Sequence, residues 1–597
     1  MRKLEQNLAV MWSNSVRRFK KKECLRVKKD GEWKSLTYAQ VDEFVKNFAL
    51  GLIDMGFKQG DRIALLSENR PKWAFTDLAV QAVGGVLAAI YSTNTSKEIL
   101  HITENSESRF LVVSNHFQLK KALAVKSLDK LVEHIVIFDP IQDLTDVDKR
   151  VVSFHDVLNR GKGFRDAGIL ARRLEEIQPE DVATLIYTSG VTGKSKGAML
   201  THSNLLSNIH EAHKLFGLSP DDICLSILPL SHSFERMAGH FAVFYCGASI
   251  AYAESISTVG QDLLDVRPTV MVGVPRLFEK FHARILQHLR KRKTWANNIF
   301  DWGMAAGRQA TGYRLKRKRL PAYLDLQIQA ADRLVFKKIR ENFGGRLRFA
   351  ISGGAPLPQE IAEFFYAASV PIYEGYGLTE ASPVISTNCP AATRLGTVGR
   401  PIPGVEVRID VDGEILVRGP NVMKGYFNNP VESDIMIKDG WLHTGDIGRF
   451  DDTGFLSITD RKKDIIMTSG GKNIAPQHIE ALLRMDPYIS QVFVVGDRRP
   501  YLTSVIVPDY KEVKNWISEK GMYFASNKDL VKDPSVRDLI QHSVDRVNAQ
   551  LARFETVKKF ILSDTDFNVE NEMLTPTMKL RRRHVVKRFS HEIDQLY

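Results

Sequence analysis

Cysteine is scarce in this chain of 597 residues, and the four that occur lie far apart, at Cys24, Cys224, Cys246 and Cys389. No two of them form a C-x-x-C pair, so the sequence excludes a disulfide scaffold and a cysteine-rich zinc site. Widely spaced cysteines are typical of proteins from reducing compartments. The composition, with 44% hydrophobic and 26% charged residues, also excludes collagen, a coiled coil and wholesale disorder.

Long apolar runs are missing as well. The longest nearly apolar stretch, residues 78–91, is interrupted by Gln81 and is shorter than the roughly 20 residues that span a bilayer. The N-terminus is basic but lacks the apolar segment of a signal peptide. These absences predict a cytoplasmic protein.

Positive charge is concentrated in one segment. The chain has 83 Lys and Arg against 70 Asp and Glu, a net charge of +13, and residues 284–348 alone contain 17 basic and 4 acidic residues, which is also +13. One interpretation is peripheral association with an anionic membrane, such as its inner face, where Trp295, Phe300, Trp302 and Tyr313 could meet lipid. A second is a solvated helical insertion without a specific role. The third is nucleic acid, which we do not expect as a partner because no nucleic-acid-binding motif occurs.

Short apolar runs alternate with helical patterns through the first 280 residues. Residues 62–66, 110–113, 183–187 and 348–351 are typical of strands, and residues 73–83 are typical of a helix. Strands that alternate with helices indicate βαβ units and mostly parallel sheets. The length allows several packed units. We therefore predict an α/β fold whose large N-terminal domain contains several subdomains.

The pattern changes after about residue 400. Residues 405–410 and 413–418 resemble hairpin strands around an Asp-Gly turn, and residues 455–459 resemble another strand. A charged run follows at residues 460–464 and is typical of an exposed domain junction. This stretch therefore predicts the end of the large domain.

The domain plan follows from that junction. We predict an N-terminal domain over residues 1–460, which includes a basic helical insertion at residues 284–348, and a small, mobile α+β C-terminal domain over residues 461–597. The last ~130 residues are long enough to fold as a unit.

A loop rich in glycine and hydroxyl groups follows the predicted strand at residues 183–187. It reads TSGVTGKSKG over residues 188–197. Free backbone N–H groups, hydroxyls and two lysines suit a polyphosphate, whereas the alternative is a solvent-exposed turn. The ending Gly193-Lys194-Ser195 matches a Walker A motif, but that motif needs glycine at the position of Thr188. The spacing thus excludes Walker A and predicts another kind of phosphate-binding loop.

Further motifs, in order along the chain, show that the sequence resembles the adenylate-forming enzymes: acyl-CoA synthetases, firefly luciferase and peptide-synthetase adenylation domains. Besides the loop, the matching segments are SGGAPL at 352–357, YEGYGLTE at 373–380, WLHTGD at 441–446, DRKKD at 460–464, GGKNI at 470–474 and TMKLR at 577–581. With the loop they span residues 187–581, so the resemblance covers most of the chain.

The resemblance implies that the loop binds the phosphates of ATP. Two positions depart from the usual pattern, because Val191 stands where a hydroxyl is usual and Ser195 where proline is usual. The remaining candidate phosphate ligands are Thr188, Ser189, Gly190, Thr192, Gly193 and Lys196.

The resemblance also implies where the rest of the nucleotide lies. Tyr376, next to Gly377, is expected to pack on the adenine. The backbone of Gly353 and Gly354 would line its other side. Thr379 would contact the α-phosphate.

Four charged residues have implied roles. Glu380 would bind Mg²⁺, a hard ion that prefers carboxylate oxygen. Asp446 would accept hydrogen bonds from the ribose hydroxyls, and Arg461 would contact the ribose. Lys463 falls at the hinge between the domains.

Lys579 matches the catalytic lysine that the family carries near its C-terminus. It would stabilise the charge that develops as the acid attacks the α-phosphorus. The surroundings depart from the pattern, because Met578 stands where glycine is common and three arginines follow at residues 581–583. A solvated basic tail is the alternative for this region.

The implied reaction forms an acyl-AMP from ATP and then an acyl-CoA, with Mg²⁺ as cofactor and CoA as co-substrate. His232, within residues 228–236, is a candidate for gating the acyl pocket, and Gly470 and Gly471 are expected to serve thioester formation. The basic insertion resembles that of long-chain fatty acid synthetases, so we expect a long-chain fatty acid as substrate. The alternatives are a ligase that passes the acyl group to a carrier-protein thiol, or stops at acyl-AMP, and a non-catalytic membrane- or nucleotide-binding relative.

Overall fold

A computed structural model describes residues 5–141, 148–166, 168–188, 194–255, 257–290, 293–575 and 579–597 of the chain. Numbered along the chain, its strands are β1 (Glu23–Lys29), β2 (Glu32–Thr37), β3 (Arg62–Leu66), β4 (Val86–Ile90), β5 (Phe110–Val113), β6 (His134–Ile137), β7 (Val151–Ser153), β8 (Val182–Thr188), β9 (Lys196–Thr201), β10 (Ile223–Ser226), β11 (Ser249–Tyr252), β12 (Val270–Gly273), β13 (Phe349–Ser352), β14 (Ile372–Gly377), β15 (Val384–Thr387), β16 (Arg400–Pro401), β17 (Glu406–Ile409), β18 (Glu414–Arg418), β19 (Ile437–Lys438), β20 (Trp441–Phe450), β21 (Leu456–Arg461), β22 (Ile466–Met467), β23 (Asn473–Ile474), β24 (Ile489–Val495), β25 (Leu502–Pro508) and β26 (Val557–Leu562).

The α-helices are numbered in the same way: α1 (Leu8–Phe19), α2 (Tyr38–Asp54), α3 (Pro71–Ala82), α4 (Ser96–Asn105), α5 (His116–Leu123), α6 (Phe154–Gly163), α7 (Ile169–Glu176), α8 (His202–Phe216), α9 (Ala242–Cys246), α10 (Val259–Val266), α11 (Pro275–Arg290), α12 (Thr294–Leu315), α13 (Ala322–Ala331), α14 (Lys337–Glu341), α15 (Gln359–Ala367), α16 (Pro430–Met436), α17 (Pro476–Arg484), α18 (Tyr510–Ser518), α19 (Asn527–Leu530), α20 (Pro534–Asn548), α21 (Arg582–Arg588) and α22 (Ser590–Asp594). Shorter helical turns of 3₁₀ or π type are Lys126–Lys130, Glu235–Phe241, Asp332–Phe336 and Thr379–Ala381.

Two large sheets form the N-terminal domain. The first has the strand order β7-β6-β5-β3-β4-β8-β9, in which only the β8–β9 pair is antiparallel. The second has the order β16-β15-β14-β13-β12-β10-β11-β1-β2, with a parallel centre from β14 to β1 and antiparallel edges. The prediction of an α/β domain with mostly parallel sheets is therefore confirmed.

Burial explains why these strands were visible as short apolar runs. Parallel strands are covered on both faces and consist of nearly continuous apolar residues. The largest core cluster contains Ile63 and Leu87 from the first sheet together with Cys224 and Ile250 from the second. Because this cluster also includes residues of the intervening helices, the two sheets share one core.

The predicted strand positions agree closely with the structure. Residues 62–66 and 110–113 coincide with β3 and β5, and residues 183–187 lie within β8. The strand predicted at 348–351 is shifted by one residue in β13, and the helix predicted at 73–83 begins two residues earlier, at Pro71 of α3. Proline at the first helical position is preorganised for a helix start.

A smaller sheet follows along the chain, with the order β17-β18-β20-β19 and with β21 added to β20. The predicted hairpin is present as β17 and β18, joined by a turn in which Gly413 has φ +88°. The strand predicted at 455–459 instead runs from Leu456 to Arg461, because the backbone of Asp460 pairs with that of Ile447 in β20. The interpretation of residues 460–464 as an entirely exposed junction is therefore wrong at Asp460, which is buried.

The C-terminal domain is small and of α+β type, as predicted. Its sheet has the order β24-β25-β26, with β24 antiparallel and β26 parallel to the central strand. One apolar cluster joins this sheet to α17 and α20, and another joins it to α21 and α22. Helices thus cover both faces of the sheet.

The basic segment at residues 284–348 is largely helical and extends from the end of α11 through α14. Trp295 and Trp302 are exposed, but Phe300 and Tyr313 are partly buried against an apolar core cluster. Phe300 and Tyr313 are thus less accessible than Trp295 and Trp302, and contact of these side chains with lipid stays a prediction. Within the described ranges, no helix is both long and apolar enough to cross a membrane.

A buried ion pair anchors the π-helical turn Glu235–Phe241. Arg236 Nε donates a 2.9 Å hydrogen bond to Asp77 Oδ2 on α3, and a second guanidinium nitrogen bonds Thr184 on β8. His240 Nε2 lies 3.4 Å from the same Asp77 oxygen. Burial alone would raise the pKa of Asp77, but Arg236 and His240 outweigh it and lower the pKa to about 2. The pair fixes the segment that continues from the predicted acyl-pocket motif.

We predict that Asp77→Asn lowers the free energy of unfolding by about 3 kcal/mol, because it leaves the Arg236 charge buried without a counter-charge. Chemical denaturation near pH 7 measures this change. The control is Asp139→Asn, which breaks the partly exposed ion pair with Arg70 and should cost less than about 1 kcal/mol. Equal losses for the two variants would contradict the assigned role. Since the pKa of Asp77 is lowered, its contribution should persist at pH 4 and disappear as the pH falls towards 2.

Candidate active site

A buried carboxylate joins three of the predicted residues. Tyr376, at the end of β14, donates a 2.8 Å hydrogen bond from its hydroxyl to Asp446 Oδ2. Arg461 Nε, at the end of β21, donates a 2.8 Å bond to Asp446 Oδ1. Asp446 and Arg461 are direct partners across the β20–β21 pair. Each carboxylate oxygen can accept a second hydrogen bond, so the group could also receive two hydroxyls of a ligand.

The glycines of the two motifs around Tyr376 are favoured for different reasons. A β-carbon at Gly377 would lie 1.8 Å from the carbonyl oxygen of Pro383, so no larger residue fits there. Gly353 faces the ring of Phe234, which a β-carbon would approach to 3.1 Å. Gly354 has φ +84°, and a β-carbon there would come no closer than 3.9 Å to its nearest neighbour, so backbone conformation, rather than crowding, favours glycine.

A second carboxylate, Glu380, lies buried in the short helix Thr379–Ala381. Its Oε1 accepts a 2.7 Å hydrogen bond from the Tyr426 hydroxyl and a 3.3 Å bond from Thr188 at the end of β8. The hydroxyl of Thr379 lies 3.1 Å from that of Ser233. The structure thus brings the start of the loop, the YEGYGLTE segment and the acyl-pocket motif together.

Sequence reasoning missed Tyr426 and Ser233 as members of this group. Tyr426 follows Gly425 in a loop between β18 and α16, and nothing in the local pattern connects it to Glu380, which lies 46 positions away. Ser233 is adjacent to His232 in the acyl-pocket motif. That position was a usable signal, because a hydroxyl beside a predicted pocket residue is a candidate polar contact.

The phosphate loop connects two antiparallel strands, with Thr188 opposite Lys196. The ammonium of Lys196 lies 2.6 Å from Glu432 and 5.4 Å from the ring centroid of Tyr426. A cavity of about 300 Å³ opens beside the end of the loop and is lined in part by Lys194 and Lys196. The other predicted phosphate ligands, Ser189, Gly190, Thr192 and Gly193, lie outside the described residues.

Lys579 comes back to this site from the C-terminal domain. Desolvation by the surrounding protein, followed by the positive charge of Arg461, lowers the pKa of Lys579, whereas Asp446 and Glu380 act to raise it. Both carboxylates therefore act on the charge of this lysine. Its side chain is nevertheless exposed to solvent, so the desolvation is incomplete.

His232 lies near the same lysine. Burial, and then the charge of Lys579, lower the pKa of His232 to about 4, so the ring is neutral near pH 7. Its Nδ1 accepts a 3.1 Å hydrogen bond from the backbone N–H of Phe234, which places the ring proton on Nε2. A neutral ring with a donor on Nε2 can face either an apolar chain or a carboxylate oxygen.

The other predicted residues lie away from this cluster. Lys463 is exposed in the turn that follows β21. Gly470 and Gly471 are exposed in the turn between β22 and β23, and a β-carbon at Gly471 would meet no atom within 4 Å. In this arrangement the C-terminal domain therefore presents Lys579, rather than its two glycines, to the residues around Asp446.

The fit of a metal ion depends on the donor set. Among the residues that the structure describes, no group of three or more His, Cys, Asp or Glu side chains is arranged to hold one. Mg²⁺ does not need such a group, because it is commonly bound by one or two carboxylates together with substrate phosphates. Buried Glu380, with the Thr188 hydroxyl beside it, fits that mode of binding.

Comparison with known proteins gives a consistent result. Residues 12–427 match the AMP-binding enzyme family, and residues 463–597 match the AMP-binding enzyme C-terminal domain. A long-chain-fatty-acid–CoA ligase of Mycobacterium tuberculosis is 35% identical over 577 residues, which cover 95% of this chain and 93% of the relative. The fatty acyl-CoA synthetase A of Dictyostelium discoideum is 33% identical over 96% of this chain and 88% of its own length.

Solved structures share the fold at lower identity. An anthranilate CoA ligase in complex with anthranoyl-AMP aligns with a TM-score of 0.74 at 18% identity, over 100% of this chain and 99% of the other. The adenylation domain of a carboxylate reductase from Mycobacterium chelonae aligns with a TM-score of 0.78 at 22% identity, over 100% of this chain and 92% of the other.

We predict that Lys579→Ala raises the pKa of His232, because the variant removes a positive charge that disfavours the protonated ring. Titration of ¹³C-labelled histidine by NMR, with the resonance assigned from a His232→Gln variant, measures the pKa in both proteins. The wild-type resonance should stay constant from pH 8 to pH 5.5. The exposed Lys472→Ala change in the same domain is the control and should leave the pKa of His232 unchanged. An unchanged value in Lys579→Ala would mean that this lysine does not reach the site in solution.

Proposed function

The chain belongs to the AMP-binding enzyme family, and we propose that it is an ATP-dependent long-chain fatty acid–CoA ligase. It converts a long-chain fatty acid to acyl-AMP and transfers the acyl group to CoA, giving acyl-CoA, AMP and pyrophosphate. Relatives with these activities in their names are 33–35% identical over nearly the whole chain, which supports both the acid and the acceptor.

The observation that carries the proposal is the pair of buried carboxylates: Asp446 is hydrogen-bonded to Tyr376 and Arg461, and Glu380 to Thr188 at the start of the phosphate loop. In the first step an oxygen of the fatty acid carboxylate attacks the α-phosphorus of ATP. A new O–P bond forms, the bond from that phosphorus to the bridging oxygen breaks, and pyrophosphate leaves. Negative charge accumulates around the α-phosphorus, and a lysine directed there stabilises it.

The remaining nucleotide contacts are assigned to the residues described above. Asp446 accepts the ribose hydroxyls on its two unused acceptor positions, with Arg461 beside them, and Tyr376 and Gly377 contact the adenine opposite Gly353 and Gly354. Thr379 contacts the α-phosphate. The triphosphate is held by Thr188, Ser189, Gly190, Thr192, Gly193 and Lys196.

Lys196 must change partners to bind phosphate. Its ammonium now pairs with Glu432 at 2.6 Å, and both side chains are partly buried. A polyphosphate carries more charge than one carboxylate and would compete for the lysine. Glu432 thus holds the ammonium near the loop until the nucleotide arrives.

Glu380 and the Thr188 hydroxyl would hold Mg²⁺ together with phosphate oxygens of the nucleotide. The ion would supply neutralisation of the charge on the leaving pyrophosphate. Tyr426 keeps the carboxylate of Glu380 oriented by the 2.7 Å hydrogen bond to Oε1.

The second step, thioester formation, takes place at the acyl carbon and needs different protein groups there. The thiol of CoA attacks the acyl carbon, a C–S bond forms, the C–O bond to AMP breaks, and the thiol proton is released. We assign residues 1–460 and 461–597 to two bodies that turn about Lys463, so that Gly470 and Gly471 replace Lys579 at the reacting carbon.

The neutral ring of His232 is proposed to contact the fatty acid where its carboxylate enters the site. The charge of Lys579 acts on this ring, so the acid would meet a hydrogen-bond donor and a positive charge together. A protonated ring would bring a second charge next to the acyl chain, which is why a low pKa suits this position.

The function is tested by incubating the protein with ATP, Mg²⁺ and saturated fatty acids of increasing length, with and without CoA. We expect release of pyrophosphate with long-chain acids and formation of acyl-CoA only when CoA is present. Acyl-AMP that never becomes acyl-CoA would favour a carrier-protein acceptor. The absence of pyrophosphate with every acid would contradict enzymatic activity.

Lys579→Ala should reduce adenylation by at least about 100-fold, since it removes charge stabilisation from the attacked phosphorus. Thioester formation from supplied acyl-AMP should remain within about twofold of the wild type, because the lysine is not used in that step. Lys528→Ala, an exposed change in the same domain and outside the matching motifs, should leave both half-reactions unchanged. Equal losses of the two half-reactions in Lys579→Ala would remove its assigned role.

We further propose that the basic segment at residues 284–348 associates peripherally with anionic membranes. It contains 17 basic and 4 acidic residues, and several of its large apolar side chains are exposed. These exposed side chains are Trp295, Trp302, Tyr323, Leu326 and Leu334. A surface of this kind would collect fatty acids that partition into a bilayer.

Co-sedimentation with vesicles of neutral phosphatidylcholine, with and without about 30% phosphatidylglycerol, tests this association. Replacing Lys316, Lys318 and Arg319 with glutamine should weaken binding to the anionic vesicles at least about tenfold, because each basic residue near such a surface contributes about 1 kcal/mol. The control replaces Arg17, Arg18 and Lys20, which carry the same charge elsewhere, and should bind almost as the wild type. Equal weakening by both changes, or no preference for anionic lipid, would contradict a specific surface.

A further inference from the structure

One face of helix α4 contacts two parts of the site. His101 Nε2 lies 2.8 Å from the backbone carbonyl oxygen of Ser195, at the end of the phosphate loop. Glu98 Oε1 lies 3.4 Å from a guanidinium nitrogen of Arg581 in the C-terminal domain. Residues three positions apart share a helix face, so Glu98 and His101 place the loop and the C-terminal segment against the same surface.

Arg581 is closely connected to the catalytic lysine. Leu574 and Leu580 form a β-bridge, and inside it the backbone N–H of Thr575 donates a 2.8 Å bond to the carbonyl oxygen of Lys579. The backbone N–H of Lys579 in turn donates a 3.1 Å bond to the Thr575 hydroxyl. Arg581 follows immediately after this bridge, so a contact that fixes its position also limits the movement of Lys579.

Glu98 is held in place before it meets Arg581. Its Oε2 accepts a 2.8 Å hydrogen bond from the backbone N–H of Thr95, and its own N–H donates to the Thr95 hydroxyl, which forms a capping box at the start of α4. Oε1 remains available for Arg581. An acceptor that is already ordered loses little conformational entropy when the ion pair forms.

We propose that Glu98 is a positioning residue for the adenylation step: it docks the segment around Lys579 onto α4 by accepting Arg581. The inference rests on the proposed function. The two partners belong to different domains, so rotation of the C-terminal domain for the thioester step would break the pair. Other contacts between the domains, Arg276 with the carbonyl oxygen of Ser490 and Gln287 with Glu512, do not involve the lysine segment.

The test compares Glu98→Gln with Glu104→Gln. Glutamine also forms a capping box, so Glu98→Gln removes the charge and keeps the helix start. Glu104 is an exposed residue on the same helix and provides a matched control. We expect Glu98→Gln to slow acyl-AMP formation about two- to fivefold, as for a partly exposed ion pair, and to leave thioester formation from supplied acyl-AMP unchanged. Glu104→Gln should match the wild type in both half-reactions.

A double-mutant cycle with Arg581→Gln isolates the pair. If the ion pair carries the effect, Arg581→Gln should slow adenylation to a similar extent and the double variant should be no slower than either single variant. Additive losses, equal losses in both half-reactions, or an adenylation rate of Glu98→Gln equal to that of the wild type would overturn the inference. A wild-type protein that forms no acyl-AMP would instead overturn the proposed function itself, so the two failures can be told apart.

Discussion

The carboxylate of Asp446 is the constraint on which the arrangement of the site depends. It is buried and accepts hydrogen bonds from Tyr376, the penultimate residue of β14, and from Arg461, the last residue of β21. Hydrogen bonds to charged groups are stronger than neutral ones and contribute about 1.5–3 kcal/mol each. The bond from Tyr376 joins the nine-stranded sheet to the small sheet, and the bond from Arg461 lies within the small sheet, where the chain leaves for the C-terminal domain.

Two of the positively charged side chains around Asp446 and the phosphate loop form ion pairs, and a bound nucleotide could replace the carboxylate partner in such a pair. Arg461 is paired with Asp446 and Lys196 with Glu432, whereas the charge of Lys579 is influenced by both Asp446 and Glu380. In the proposed function, phosphates compete for these cations, and the lysine is brought near them by a domain that can also withdraw it. The contact between Glu98 and Arg581 would bias that movement towards the adenylation arrangement. In that proposal one domain serves both adenylation and thioester formation, two steps that need different protein groups.

The fold was predictable where structure is determined locally. Buried parallel strands such as β3 and β5 are short apolar runs, so their positions were visible in the sequence. The end of β21 was not visible in the sequence. Asp460 is charged and therefore suggested an exposed position, but its backbone pairs with β20 and the residue is buried. The partial burial of Phe300 and Tyr313 was not visible in the sequence either, because aromatic residues in a basic segment can face either lipid or the core, and helix packing decides between them.

The site was predictable through its motifs and not through its contacts. Asp446, Glu380 and Lys579 were named as candidates by resemblance, whereas Tyr426, which bonds Glu380, and Glu98, which pairs with Arg581, lie in segments that gave no chemical signal. The most direct test of the account is a crystal structure with a stable acyl-adenylate analogue. We predict ribose hydroxyls on the Asp446 carboxylate, the base against Tyr376 and the ammonium of Lys579 at the phosphate group. A nucleoside bound elsewhere, without contact to Asp446, Tyr376 or Lys579, would contradict this assignment.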